Sequence, residues 1–163
     1  GEQVENFAMT RGKELEEPAR CAFEKKMNTI LFPKNVQHPE VSWMRASLDG
    51  IDVDSKIMVE IKCPGKEDHS LAMRKKVPTK YIPQCQHQLM VTGLPGMFYF
   101  SFDGKDGVIV EVQRDQNYID LLWEAEHKFW EMKETMIPPE PTDEDLVDMD
   151  SSINWKALTD RWQ

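Results

Sequence analysis

The chain reads as an α/β protein, a small mixed β-sheet with helices on its faces, and three observations predict it. Stretches of helical spacing and stretches rich in β-branched and aromatic residues follow one another in the order α, β, β, β, α, β, β, α. Turn residues fall between them, at Pro33, Asp49-Gly50, Pro64-Gly65, Gly93 and Gly104-Lys105-Asp106-Gly107. With 163 residues, 40% hydrophobic and 30% charged, the chain is long enough for one domain with a core.

Residues 3–28 have helical spacing, carried by Leu15, Ala19, Ala22 and Phe23, and Pro18 is expected to kink this helix or start a fresh one. Glu14, Glu16 and Glu17 precede that proline, where an acidic first turn would suit the helix dipole. Residues 29–32 read as a short strand ended by Pro33, residues 36–43 as irregular, with His38 a loop residue, and residues 44–48 as a second strand leading into an Asp49-Gly50 turn. Residues 56–63 form a third strand, closed by Pro64-Gly65. A short basic helix or ordered loop follows over residues 66–76. Residues 79–92 read as a helix with Pro83 in its first turn and Gly93 as its stop. Tyr81, Gln84 and Gln88 fall on one face of it, and Ile82, Cys85 and Leu89 on the core side. Residues 97–102 and 108–112 form a hairpin. Residues 115–133 form an amphipathic helix with an apolar stripe of Tyr118, Leu121, Leu122, Ala125, Phe129 and Met132, ordinary core or subunit contact. Pro138-Pro139-Glu140-Pro141 breaks it, and an acidic stretch leads to a short segment around Trp155, Leu158 and Trp162.

Chemistry concentrates in the third strand. On it Glu60 and Lys62 share one face, while Val59, Ile61 and Cys63 share the other. A turn at Asp49-Gly50 would fold Asp49 back beside Glu60. Two carboxylates at one point suit a hard divalent cation such as Mg²⁺, and a neighbouring lysine can offset charge on a phosphate. That is the equipment of metal-dependent phosphodiester hydrolysis. The other reading is a surface ion pair on an edge strand. Glu-x-Lys recurs at Glu24/Lys26, Glu126/Lys128 and Glu131/Lys133, but in helical stretches, where residues two apart do not face each other.

The net charge of −9 argues against a nucleic-acid partner until its distribution is seen. Residues 131–150 carry −7, whereas residues 62–80 carry +4 through Lys62, Lys66, Arg74, Lys75, Lys76 and Lys80 against Glu67 and Asp68. The basic excess adjoins the proposed site, either as a solvated charge run or as a DNA contact. Cys21, Cys63 and Cys85 are scattered without metal-binding spacing and read as reduced thiols of a cytosolic protein. No apolar run reaches the length of a membrane span, and no signal-peptide pattern opens the chain.

Four pieces in order carry a family resemblance: Gly12-Lys13-Glu14-Leu15-Glu16-Glu17-Pro18-Ala19-Arg20, Ala46-Ser47-Leu48-Asp49-Gly50, Glu60-Ile61-Lys62-Cys63-Pro64, and Tyr81-Ile82-Pro83-Gln84-Cys85-Gln86-His87-Gln88-Leu89-Met90-Val91-Thr92-Gly93. Over residues 9–129 the chain resembles the lambda-exonuclease and YqaJ-type viral recombinase family, a branch of the PD-(D/E)XK nucleases. The resemblance implies a restriction-endonuclease-like core over residues 1–136 and an acidic C-terminal extension over residues 137–163. It implies that Asp49, Glu60 and the carbonyl of Ile61 hold Mg²⁺ (or Mn²⁺) and that Lys62 is the catalytic lysine. Glu16 and Gln84 would touch metal-bound water or the scissile phosphate, so that acids from a helix, a turn and a strand close around one ion. Tyr81, Lys66, Arg74, Lys75 and Lys76 would contact DNA.

The implied activity is 5′-to-3′ hydrolysis of double-stranded DNA in phage recombination, in the cytoplasm of a bacterial host. The implied partners are a phage single-strand annealing protein and further copies of the chain in a homo-oligomer, a trimeric ring by family precedent. Leu48 replaces the family proline before the motif aspartate, and the family's N-terminal helical segment, which helps hold the 5′-end, is missing or largely cut away. An endonuclease of the same fold and a catalytically inactive DNA-binding relative are the alternatives. A Cas4-like iron–sulfur enzyme would need about four cysteine ligands.

Overall fold

The computed structural model describes residues 7–135, with side chains from residue 14 onward. The expectations for residues 3–6 and for the proline-rich, acidic and tryptophan-bearing C-terminal stretch lie outside the described residues. The chain divides into two compact units, Gly1–Trp123 and Glu124–Gln163. The first holds a five-stranded sheet in the order β1-β2-β3-β4-β5, made of Phe32–Gln37, Arg45–Ile51, Met58–Lys62, Gly96–Phe102 and Gly107–Gln113. The β3–β4 pair is parallel and the others are antiparallel, so the sheet is mixed, as the element order predicts. The helices are α1 (Phe7–Met27), α2 (Lys66–Met73), α3 (Ile82–Thr92) and α4 (Gln116–Thr135), with a 3₁₀ turn at Thr79–Tyr81.

The sheet buries both faces. On one, Ala19 and Phe23 of α1 pack with Leu31, Val59, Ile61, Phe100 and Phe102. On the other, Cys85, Leu89 and Val91 of α3 pack with Met44, Leu48, Met58, Tyr99 and Val112. Phe23 meets Phe100 edge-on at 5.4 Å, an arrangement that aromatic quadrupoles favour.

Several elements differ from the sequence expectation. Helix α1 runs through Pro18 without a break. Strand β1 starts at Phe32 and continues past Pro33, which an edge strand tolerates because one side of its backbone needs no N–H; the β1–β2 register shifts between Phe32 and Lys34. Asp49 and Gly50 lie inside β2, not in a turn. The chain reverses later, where Asp52 Oδ1 accepts bonds from the Lys56 and Ile57 N–H groups at 2.6 and 2.7 Å and Ser55 takes a φ of 55°. Gly50 is needed for close approach: a Cβ there would sit 2.9 Å from Leu31 Cδ1 and 3.1 Å from Val59 Cγ1.

Helix α3 ends where expected, with proline in its first turn and Gly93 at φ 71° as the left-handed cap, but starts at Ile82, after the 3₁₀ turn that takes residues 79–81. Its faces also differ: Gln88 and Gln86 are buried on the core side. In α4 the part within the first unit packs through Ile119, Leu122 and Trp123, while Leu121 of the expected stripe is 69% exposed. Within the second unit Phe129 is exposed, and the Lys133 ammonium lies 4.5 Å from the Trp130 ring centre.

Candidate active site

The site lies where β2 and β3 part. Their ladder holds only the pairs Gly50↔Val59 and Ile51↔Met58, after which the strands diverge. Side chains close the gap that backbone bonds leave. Asp49 Oδ2 accepts a bond from the Ile61 N–H at 2.8 Å. Gln88 Nε2, from α3, donates to Glu60 Oε2 at 2.6 Å and reaches the Ser47 carbonyl at 3.3 Å. The aspartate expected to reach Glu60 through a turn arrives instead as a strand residue beside a splayed neighbour.

Glu60 is 1% exposed and faces α3 from β3. A buried carboxylate is stable as an anion only when paired. Lys62 Nζ lies 2.5 Å from its Oε1 and supplies that pairing. Burial alone would lower the lysine pKa; Glu60, with Asp49 behind it, holds it above the ordinary lysine value. For Asp49 the pKa is also raised, but in a carboxyl this favours the neutral form. Burial first, then the Glu60 charge, push its carboxyl up to about 6, against the Ile61 N–H bond and Lys62. Burial and then Glu60 also push the Cys85 thiol up to about 12, which marks it as an inert core thiol. Two carboxylates compete here for too few cations.

That competition fits a divalent ion. The donor set contains the Asp49 carboxyl and the Glu60 carboxylate, oxygen ligands of the type Mg²⁺ and Mn²⁺ prefer. The expected three-acid cluster is not formed. Glu16 stays exposed on α1, close enough to Asp49 to be the weakest of the influences raising its pKa. Among the described residues no group of three His, Cys, Asp or Glu side chains stands ready for a metal.

The remaining expected residues surround this pair. Tyr81 stacks on Tyr99, with ring centres 5.8 Å apart, and lies between two ammonium groups, Lys62 at 5.3 Å and Lys80 at 5.1 Å. Gln84 is exposed on the first turn of α3. Lys66, Arg74 and Lys76 are exposed on and just after α2, and Arg74 donates to Ser70 Oγ at 3.0 Å. Lys75, at φ 60°, turns away to the Ile109 carbonyl on the edge strand β5, 3.1 Å off. Lys80 pairs with Asp68 at 2.6 Å.

Two contributors escape the sequence reading. Gln88 has the helix spacing of Tyr81 and Gln84, and nothing in that spacing distinguishes a buried amide from a surface one. His69 on α2 bonds Ser101 Oγ at 2.8 Å, on the β4 residue beside Lys62. That contact depends on the β3–β4 register, which single-strand patterns do not contain.

Known proteins resemble this chain in sequence and fold. Residues 1–95 match the YqaJ-like viral recombinase domain. The protein YqaJ of Bacillus subtilis (strain 168) is 31% identical over 101 residues, 60% of this chain; the match spans 32% of that protein's length. The alkaline exonuclease LHK-Exo of Laribacter hongkongensis is 27% identical, with a TM-score of 0.64 over 83% of this chain and 78% of that one. Its complex with dAMP superposes with a TM-score of 0.66. The five-stranded mixed sheet flanked by helices is therefore the alkaline-exonuclease, restriction-endonuclease-like fold. By the match over more than half its length, the chain belongs to the YqaJ-like viral recombinase domain family.

Proposed function

We propose that this chain is the catalytic domain of a divalent-metal-dependent deoxyribonuclease that degrades one strand of duplex DNA from its 5′-end. The observation that carries the reading is the convergence of Asp49, Glu60 and Lys62 at the β2–β3 split, where the buried Glu60 carboxylate is held between Lys62 and Gln88. The likeness to an alkaline exonuclease, one of whose structures holds dAMP, supports DNA as the substrate.

Asp49, Glu60 and the Ile61 carbonyl would hold a Mg²⁺ or Mn²⁺ ion. When bound, such an ion polarises a phosphate oxygen and acidifies water. Lys62 keeps its proton because two carboxylates lie beside it, so it acts as a cation that offsets charge developing on the phosphate, not as a base. The Tyr81 ring, backed by Tyr99, holds the ammonium in place. Glu16 and Gln84, both exposed, reach the water and the scissile phosphate once DNA is bound. Lys66, Arg74, Lys75 and Lys76 take backbone phosphates, Lys75 by leaving its β5 carbonyl. An annealing protein that accepts the 3′-overhang, further copies of the chain, and a bacterial cytoplasmic setting complete the proposal. No helix among the described residues is long and apolar enough to cross a membrane.

Linear duplex with 5′-phosphate, linear duplex with 5′-hydroxyl and closed circular duplex, each with Mg²⁺, test this side by side. The linear substrates are expected to be degraded and the circle to survive; a cut circle would replace the exonuclease reading with an endonuclease one. Lys62→Ala is expected to abolish degradation while DNA binding persists, and undiminished cleavage would remove Lys62 from the mechanism.

A further inference from the structure

We propose that Gln88 is the positioning residue of the site: its amide clamps β2 to β3 where their ladder ends, and so sets the Asp49–Glu60 pair for a divalent ion. The inference rests on the metal reading above and assigns a role to a residue outside the expected set. Gln88 is 1% exposed, on the face of α3 turned to the sheet. One nitrogen serves two acceptors on two strands, Glu60 Oε2 on β3 at 2.6 Å and the Ser47 carbonyl on β2 at 3.3 Å. Ser47 lies two residues before Asp49. No backbone pair joins β2 to β3 at this level, since the last is Gly50↔Val59.

The amide orientation follows from chemistry. Both neighbours are acceptors, so the NH₂ must face them; the flipped amide would set its oxygen against a carboxylate and a carbonyl. The consequence is visible on the other side, where Gln88 Oε1 is buried with no hydrogen-bond partner. A side chain that only filled the core would not need to strand an acceptor. By occupying Oε2, Gln88 fixes the rotation of the Glu60 carboxylate and leaves Oε1 for a cation, a place Lys62 now takes at 2.5 Å. Partners that orient metal-ligating carboxylates in this way typically contribute about 10–100-fold to ion affinity.

Calorimetric titration with Mn²⁺ in the absence of DNA tests the clamp, using wild type, Gln88→Met, Gln88→Asn and the neighbouring Gln86→Met. Met keeps the volume without the donor, and Asn moves the donor out of reach with less bulk, so the second variant serves if the first does not fold. Gln86 is equally buried but bonds the Gln113 carbonyl and the Asp115 N–H, remote from the pair. Both Gln88 variants are expected to bind Mn²⁺ about 10–100-fold more weakly, to regain DNA degradation at saturating Mn²⁺, and to melt metal-free below the wild type because Glu60 Oε2 loses its donor. Gln86→Met is expected to lower the melting temperature and leave Mn²⁺ affinity unchanged. Wild-type affinity in both Gln88 variants would overturn the clamp and leave the nuclease reading standing. Absence of Mn²⁺ binding by the wild type would overturn the metal reading, and the clamp with it.

Discussion

Replacing Asp49 by Asn should stabilise the metal-free protein while removing its activity. In the fold the Asp49 carboxyl is pushed from 3.8 to about 6, chiefly by burial and then by Glu60. A raised carboxyl pKa means that the unfolded chain releases this proton first. Its contribution therefore lowers stability as pH rises from about 4 to about 6 and is constant above. Two pH units at ~1.4 kcal/mol each give a cost approaching ~3 kcal/mol at pH 8, trimmed by the solvent that reaches this half-buried group. Asn carries no charge, and its Oδ1 can still accept the Ile61 N–H bond that Asp49 holds at 2.8 Å. Thermal unfolding in chelator should show the variant melting ~5–10 °C above wild type at pH 8, with the gap closing toward pH 4. Mn²⁺ well above saturation should reverse the order, because an ion at about 1,000 times its dissociation constant adds ~4.1 kcal/mol to the protein that binds it. Equal melting temperatures at pH 8, or a gap indifferent to pH, would show that Asp49 is not under the strain described.

Gly50→Ala should cost ~1–3 kcal/mol in denaturant unfolding, because the added methyl meets Leu31 at 2.9 Å and Val59 at 3.1 Å. By moving β2 off β3 it should also weaken Mn²⁺ binding. Lys62→Met leaves Glu60 buried without its cation and should destabilise the metal-free protein by ~3 kcal/mol at pH 8, with the deficit shrinking when Mn²⁺ is added. The wild-type contribution of this lysine has the sign of a raised base: full below about pH 10.4 and lost as pH climbs through the higher folded value, which unfolding between pH 9 and 12 would reveal. Ca²⁺ in place of Mg²⁺ should permit DNA binding but suppress cleavage, through its looser coordination. Lys66→Ala and Lys76→Ala, both at exposed positions, should each reduce the salt dependence of DNA binding by about one phosphate contact.

Element types were largely legible. Residues 82–92 announce a helix through Pro83 and Gly93, and residues 58–62 a strand through alternation, since both signals act within one element. Boundaries failed where a neighbour decides them. Pro33 stops a central strand but not an edge one, and the sequence does not say which strand is at the edge. Asp49-Gly50 has turn chemistry, yet Gly50 serves packing against Leu31 and Val59, contacts made across the sheet.

The chemistry divides in the same way. The amino-acid order alone determined that two carboxylates and a lysine of nuclease type are present, and that Glu60 and Lys62 share a strand face, because that parity is a property of any β-strand. Only the tertiary structure decided that β2 and β3 separate at Asp49, that Glu16 is exposed on α1, and that a buried Gln88 closes the gap. Those outcomes arise from elements packed against one another across 28 and 41 residues of chain, and local periodicity carries no information about what lies opposite.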